Sequence, residues 1–489
     1  MTHAENGPRF RPGTTRIWID GAGRDASDGR ELVVTDPGSG EVVAGVADGD
    51  VAEARAAVAA AASALQGWAA TSPRARSGIL MEAFGRLLAQ ADRFAELIVR
   101  ENGKTLADAA GEVSYSAEFL RWFAEECVRT EGEYGASPAG GTRTIVTSRP
   151  VGVAALVTPW NFPAAMVLRK VAPALAAGCT VVLKPAEETP LTALALAELL
   201  HEAGVPAGVV NVLPTSNAPD VVATWLDSRE VRAISFTGST HVGRTLLGHA
   251  AQRVVNTSME LGGNAPFVVF DDADVDAAVA GAMTAKFRNG GQACTAANRL
   301  YVHADVVEEF TVKFGAEVAA LRIGHGLEPT TDVGPLIARK AVDGVRSLIA
   351  RAVAAGARVT HQSAVPDHLA GHFVPATVLR DVTAASPLVQ EEIFGPVAAI
   401  VTWQDESAVL DEVNDTEFGL ASYVYSRDLK RALKFAERLE AGMVGINRGV
   451  VSDPSAPFGG MKQSGIGREG ARAGLREFRE VQYFSVDWS

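Results

Sequence analysis

From Gly152 onward, short β-branched runs alternate with helical stretches. VGVAALV is followed by a helix begun at Pro163, and TVVLKP by the helix LTALALAELLHEAG. VVNVL leads into a helix around Asp220–Leu226, and VRAISFTG into THVGRTLLGHAAQ. Parallel strands need a long crossover, usually a helix, so this order predicts βαβ units and a parallel sheet. Ligands of such sheets bind beyond the carboxyl ends of the strands. The loops to watch are therefore TPWNFP, KPAEETP and FTGSTHVG. A second α/β block begins near Met259, with APFVVF, a helix over Val275–Phe287, RLYVHA and a helix over Val306–Leu321. Ahead of both, short strands run to about Asp50, and Val51–Glu126 carries apolar residues at helical spacing. Gly132–Val151 reads as an extended, hairpin-like excursion, and Arg472–Ser489 as a helix then a strand. An edge strand such as TIVTSRP needs a partner, which hints at oligomerisation.

A chain of 489 residues suggests two or three domains and a large core that needs no disulfide or metal staple. Lys plus Arg is 45 and Asp plus Glu is 58, so the formal charge is 45 − 58 = −13. An acidic chain has no general attraction for nucleic acid or an anionic membrane. Cys127, Cys179 and Cys294 lack the paired spacing of a zinc site and are too few for a disulfide framework, so no metal is expected. The start, MTHAENGPRFRPGTTR, has no apolar h-region, and no run of about 18 apolar residues could span a bilayer. A cytoplasmic enzyme is the expectation.

Five segments could carry chemistry. In NGGQACTAANR, Cys294 follows Gly290 and Gly291, and glycines allow close backbone approach to a ligand. A cysteine there can be a nucleophile, although most lone cysteines are inert buried hydrophobes, as Cys127 and Cys179 read. In MELGGNAP, Glu260 ends an apolar run, where desolvation raises a carboxyl pKa and suits a general base; a surface strand-end glutamate is the alternative. In TPWNFP, Asn161 is held between prolines and can donate to an oxyanion, or merely cap the helix begun by Pro163. In FTGSTHVG, Gly238 and Ser239 open a helix whose amides could hold phosphate, without the G-x-G-x-x-G fingerprint. In KPAEETP, Lys184 and Glu187 could contact ribose hydroxyls or simply compensate a helix N-terminus.

Taken together, and with EEIFGPV and PFGGMKQSGIGREG, these motifs occur in family order over nearly the whole chain, which resembles the aldehyde dehydrogenase superfamily. The resemblance implies an α/β architecture: a Rossmann-like NAD(P)-binding domain (1–131 and 152–258), a catalytic domain (259–471), and a bridging β element (132–151 and 472–489). It also implies homodimers or homotetramers. By position Cys294 looks like the nucleophile, Asn161 the oxyanion donor and Glu260 the base. Trp160 and Ser239 look like pyrophosphate neighbours, Lys184 and Glu187 like adenosine-ribose contacts, and Glu392 and Phe394 like nicotinamide-side contacts.

Arg288 precedes Cys294 by six residues, and Arg169 lies about two turns into the helix begun at Pro163, so both could point into an aldehyde tunnel. Guanidinium grips carboxylate bidentately. The alternatives are that Arg288 compensates its helix C-terminus and that Arg169 is at the surface. FRNGGQAC, VLRK and GINRGVVSDPSAPFGG resemble the succinate-semialdehyde dehydrogenase branch, in which matching arginines and a serine, here Ser452, hold the substrate carboxylate. Glutarate semialdehyde is the near alternative. Two positions depart from that branch: Ala296 stands where a second cysteine is frequent, and Arg448 where a threonine is common. Glu187 would accept a bond from a ribose 2′-hydroxyl but repel a 2′-phosphate, which favours NAD, with NADP possible. A cysteine hydrolase is the reading from another class, but the motifs near Cys294 hold no histidine to activate the thiol. A non-catalytic scaffold is disfavoured because nucleophile, donor and base are all present.

Overall fold

Four β-branched runs become neighbouring parallel strands in the structure, a computed structural model that describes residues 13–489. Residues 1–12, on which the expectation of a chain without a signal peptide mainly rests, lie outside those described. The strands lie in the order Val210–Val212, Thr180–Lys184, Val153–Val157, Val231–Thr237. From Val153–Val157 the chain first winds one way and then crosses to the other side. That reversal makes a switch point between Val153–Val157 and Val231–Thr237, where the crevice of an open α/β sheet forms. Asn256–Glu260 extends the sheet in parallel, and Gly465–Ile466 closes that edge antiparallel. At the other edge Ile17–Ile19 pairs antiparallel with Val210–Val212 and with Ala22–Arg24, giving eight strands in all. Val157 sits level with Lys184 and Phe236, and Thr237 with Glu260. The loops carrying Trp160, Glu187, Ser239 and Leu261 thus leave the same end of the sheet.

The helix Pro163–Ala177 explains why the first of these loops is stiff. Proline at its first turn presets φ, and Gly178 ends it at φ +96°. Every residue of the helix is buried, against Leu106–Cys127 on one side and its own sheet on the other. Phe119, Leu120 and Phe123 fill that contact with Leu168, Val171 and Leu175.

A second, seven-stranded sheet carries the central strands Val397–Trp403, Ala297–His303, Ala265–Val269 and Ala421–Tyr425, all parallel. The chain changes sheets between Leu261 and Asn264, so the expected domain division before residue 259 falls inside the strand Asn256–Glu260. The excursion Gly132–Ala136 and Thr142–Pro150 forms a hairpin, and Arg479–Asp487 adds to it antiparallel, from Arg479 opposite Pro150 to Asp487 opposite Thr142. Among the described residues no helix is long and apolar enough to cross a membrane. Nor, among them, does any group of three or more His, Cys, Asp or Glu side chains lie where it could hold a metal ion.

Candidate active site

Cys294 lies between the two sheets because of a tight reversal before it. The helix Val275–Phe287 ends, and Asn289, Gly290 and Gly291 follow with φ of +52°, +61° and +75°. A Cβ on Gly291 would fall 2.3 Å from the Gly395 carbonyl oxygen. That glycine therefore serves close packing against the EEIFGPV loop rather than approach to a ligand. Gly263, in the link between the sheets, is equally tight, since a Cβ there would lie 2.3 Å from the Cys294 carbonyl oxygen. Half-buried Cys294 comes just before the strand Ala297–His303.

Asn161 comes from the facing loop. Its side-chain nitrogen donates to the Gln292 carbonyl at 3.1 Å, and its Oδ1 is buried with no partner among the described residues. It does not cap the helix begun at Pro163. The Ala164 and Ala165 amides donate instead to Glu112 Oε1, at 2.8 and 3.2 Å. The Asn161 carbonyl accepts from Lys104 Nζ and from Asn289 Nδ2, each at 2.8 Å. Lys104 in turn pairs with Glu112 at 2.5 Å, both side chains fully buried, with its ammonium 4.0 Å from the centre of the Phe162 ring. Asn102 Nδ2 donates to the Trp160 carbonyl at 3.0 Å. Asn102 and Lys104 thus hold the TPWNFP loop from behind.

A cavity of about 450 Å³ opens at the switch point. Cys294, Asn161, Arg169, Arg288 and Ser452 line it. Trp160, Gly238, Ser239, Glu392 and Phe394 line it too. Trp160 and Phe394 meet edge to face, 5.5 Å apart. Arg169 is 3% exposed, not a surface residue. Its guanidinium stacks 4.0 Å from the Phe458 ring, bonds the Tyr115 hydroxyl at 2.5 Å, and stands 3.6 Å from Glu469. Arg288 occupies the C-cap position of its helix, its side chain lies 5.3 Å from the centre of the Phe162 ring and lines the cavity, and no hydrogen bond or ion pair joins it to a carboxylate among the described residues.

Electrostatics set the resting state. Burial pushes the Cys294 thiol up to about 12, with Arg169 opposing and Glu392 and Glu260 adding to the rise. Thiolate is the reactive form, so a proton must leave this sulfur before it attacks carbon. Burial, and then the Glu469 carboxylate, hold Glu260 well above the usual carboxylate range, against Lys170, Arg169 and Arg468. Both Glu260 oxygens are buried and without hydrogen-bond partners among the described residues. Glu260 does not itself line the cavity; its side chain lies toward Gly459, whose added Cβ would fall 2.8 Å from Oε1. Behind it, Lys170 Nζ bonds Glu469 Oε1 at 2.5 Å and Ser235 Oγ at 2.9 Å.

The model of the aldehyde dehydrogenase family matches residues 24–484. This chain belongs to the aldehyde dehydrogenase family. It is an NAD(P)-dependent aldehyde dehydrogenase, similar over most of its length to enzymes of semialdehydes. The succinate-semialdehyde dehydrogenase of Paenarthrobacter nicotinovorans is 51% identical over 89% of this chain and 96% of that protein. The glutarate-semialdehyde dehydrogenase of Pseudomonas putida is 48% identical over 96% of this chain and 97% of that protein. A crystal structure of an E. coli NADP dependent enzyme superposes with a TM-score of 0.95 at 47% identity, covering 97% of this chain and 98% of that one.

The residues expected at the adenosine side of this aldehyde dehydrogenase lie apart from the cavity. Lys184 is buried, which lowers its pKa against the pull of Glu187 and Glu188. Glu187 is exposed. Neither compensates the helix Pro190–Glu202, because Glu101 Oε2 and Oε1 accept from the Leu191 and Thr192 amides at 2.8 and 3.0 Å. Gly238 N–H donates to the Glu260 carbonyl at 3.1 Å and is not free for phosphate. Ser239 caps the helix Thr240–Ala251 through Val242 N–H at 3.4 Å, which leaves that helix's first amides facing outward. Arg448 is exposed and does not line the cavity. Sequence reasoning missed Lys104, Glu112 and Tyr115. A Gly-Lys after a helix reads as surface, and only the helical offset of eight from Lys104 to Glu112 hinted at a pair.

Proposed function

We propose that this aldehyde dehydrogenase oxidises an aldehyde bearing a carboxylate at its far end, with succinate semialdehyde first and glutarate semialdehyde next. The observation that carries the reading is the pairing of two cavity arginines, Arg169 and Arg288, with Cys294 and Ser452 in one space. Arg288 faces the Phe162 ring at 5.3 Å but has no carboxylate of its own among the described residues, and a half-buried guanidinium without one calls for an anion. The two relatives named for succinate and glutarate semialdehyde support the same class.

In this reading Cys294, once deprotonated, attacks the aldehyde carbon, forming a C–S bond and turning the carbonyl oxygen into an oxyanion. Asn161 Nδ2 leaves the Gln292 carbonyl to donate to that oxygen, joined by the Cys294 backbone N–H. Bound NAD(P) supplies the acceptor for the hydride that leaves this carbon as the C=O re-forms, giving a thioester on Cys294. Glu260 turns from Gly459 toward the cavity; with neither oxygen hydrogen-bonded, the turn breaks no bond. It then takes a proton from water, which attacks the thioester and releases the acid and the thiolate.

The residues fit a dinucleotide. Glu392 Oε1 accepts from Gly263 N–H at 3.1 Å, and burial lifts its pKa to about 7, which suits a carboxyl awaiting hydroxyl donors. Trp160 and Ser239 would neighbour the pyrophosphate, and Phe394 the nicotinamide. Lys184 and Glu187 would take the adenosine ribose, and the exposed Glu187 carboxylate favours NAD over a 2′-phosphate, with NADP as second acceptor. Exposed Tyr134, Val481 and Tyr483 on the three-stranded sheet support dimers or tetramers joined through it.

The test is a panel of semialdehyde acids against neutral aldehydes. Arg288→Ala is expected to raise KM for succinate semialdehyde at least tenfold and to spare butanal. Equal effects on the two substrates remove the substrate assignment.

A further inference from the structure

Tyr115 comes from the helix Leu106–Cys127 and reaches the same cavity as Cys294, Arg169 and Ser452. Its hydroxyl oxygen accepts from Arg169 NH2 at 2.5 Å. A phenol has one proton to give as well as lone pairs to receive with. No acceptor takes that proton among the described residues, so the Tyr115 O–H is a donor without a partner at the cavity wall. Arg169, 3% exposed, adds a second unmet group: its Nε is buried with no hydrogen-bond partner there. The nearest carboxylate is shared. Around Glu469 stand the cations Arg169 and Lys170, 3.6 and 2.5 Å from its oxygens, and Glu260 beside them is held toward its neutral form. The acids of the lining itself are engaged: Asp108 accepts from Asn289 N–H at 2.9 Å, Glu112 is paired with Lys104, and Glu392 accepts from Gly263 N–H at 3.1 Å. A buried guanidinium beside a phenol, with two idle donors between them, is suited to hold an anion.

We propose that Tyr115 is a specificity-determining residue that donates its hydroxyl proton to the terminal carboxylate of the semialdehyde, working as a dyad with Arg169. The inference rests on the semialdehyde reading above and adds a neutral donor to the arginines and the serine. Tyr115 packs edge-on to Phe119, 5.0 Å away, so its ring is fixed and the donor is preorganised. A carboxylate held by a guanidinium and a phenol is distinguished from an amide or methyl end, which would leave the phenol proton or the guanidinium unmet.

Tyr115→Phe removes the hydroxyl and keeps the ring. The quantity to measure is the ratio of kcat/KM for succinate semialdehyde to that for butanal, with the melting temperature followed alongside. Losing one hydrogen bond to a charged group predicts a fall of about tenfold or more in that ratio, carried by KM for the acid. A ratio within twofold of the wild type, in an enzyme that still prefers the acid, overturns the role of Tyr115 and leaves the semialdehyde reading standing. A wild-type enzyme indifferent to the carboxylate sinks that reading itself. The same substitution in an Arg169→Met background separates touching from propping: direct donation predicts a further fall in the ratio, and no further fall means that Tyr115 acts only by holding Arg169.

Discussion

Lys104 and Glu112 offer the sharpest perturbation because the pair is buried completely and holds both the Asn161 carbonyl and the start of the helix that follows the TPWNFP loop. Lys104→Met leaves the Glu112 carboxylate buried without its cation. Breaking a buried ion pair from one side costs about 3–5 kcal/mol. Lys104→Met with Glu112→Gln removes both charges, and the substituted amide oxygen can still accept from the Ala164 and Ala165 amides. Stability should therefore return to within about 1–2 kcal/mol of wild type, the size of one or two ordinary hydrogen bonds. Activity should not return. The bond from Lys104 to the Asn161 carbonyl is gone in either variant, and an oxyanion donor that loses its position forfeits up to about 2.7–4 kcal/mol at the transition state. We expect kcat of the double variant to fall at least tenfold, with KM for NAD unchanged. The assay is thermal unfolding by tryptophan fluorescence beside steady-state NADH formation. A double variant with wild-type kcat would refute the positioning role, and a Lys104→Met enzyme as stable as wild type would refute the energetics.

Other outcomes follow from the same geometry. Cys294→Ala should abolish aldehyde oxidation, while Glu260→Gln should release about one equivalent of NADH per subunit and then stall; steady turnover by either variant contradicts the roles. With its carboxyl held above the ordinary range, Glu260 is a base only after losing its proton, so kcat should rise with pH along an acid limb lying above the ordinary carboxylate range. A flat profile from pH 5 upward would count against it. Iodoacetamide should alkylate Cys294 of the cofactor-free enzyme at a rate that keeps climbing past pH 9, because burial pushes the thiol up to about 12; a plateau near pH 7 would show a different thiol environment. Glu187→Ser should narrow the gap in kcat/KM between NAD and NADP, and an unchanged ratio would remove Glu187 from cofactor choice.

The parallel order of the first sheet was legible because β-branched runs and helices alternate without ambiguity, and Val275–Phe287 has the bounds expected of it. Ten of the thirteen expected site residues line one cavity, since each lies in a loop at a strand end or on a helix facing it. Where the reading went astray, a distant partner had intervened. Gly291 looked like a ligand contact because its neighbour in space, Gly395, lies a hundred positions on. Glu260 does end its strand, and what stayed hidden was its surroundings, from Lys170 and Glu469, which no local pattern connects to it. Tyr115 was lost among the apolar positions of a helix whose inward face is mostly core.

The two-residue strand Gly465–Ile466, clipped to the edge of the cofactor-side sheet, ties the last part of the chain to the first. Arg468 and Glu469, which tune Glu260, follow it within three residues. Truncation reaching back to Gly465 would therefore strip the reaction centre of its electrical setting.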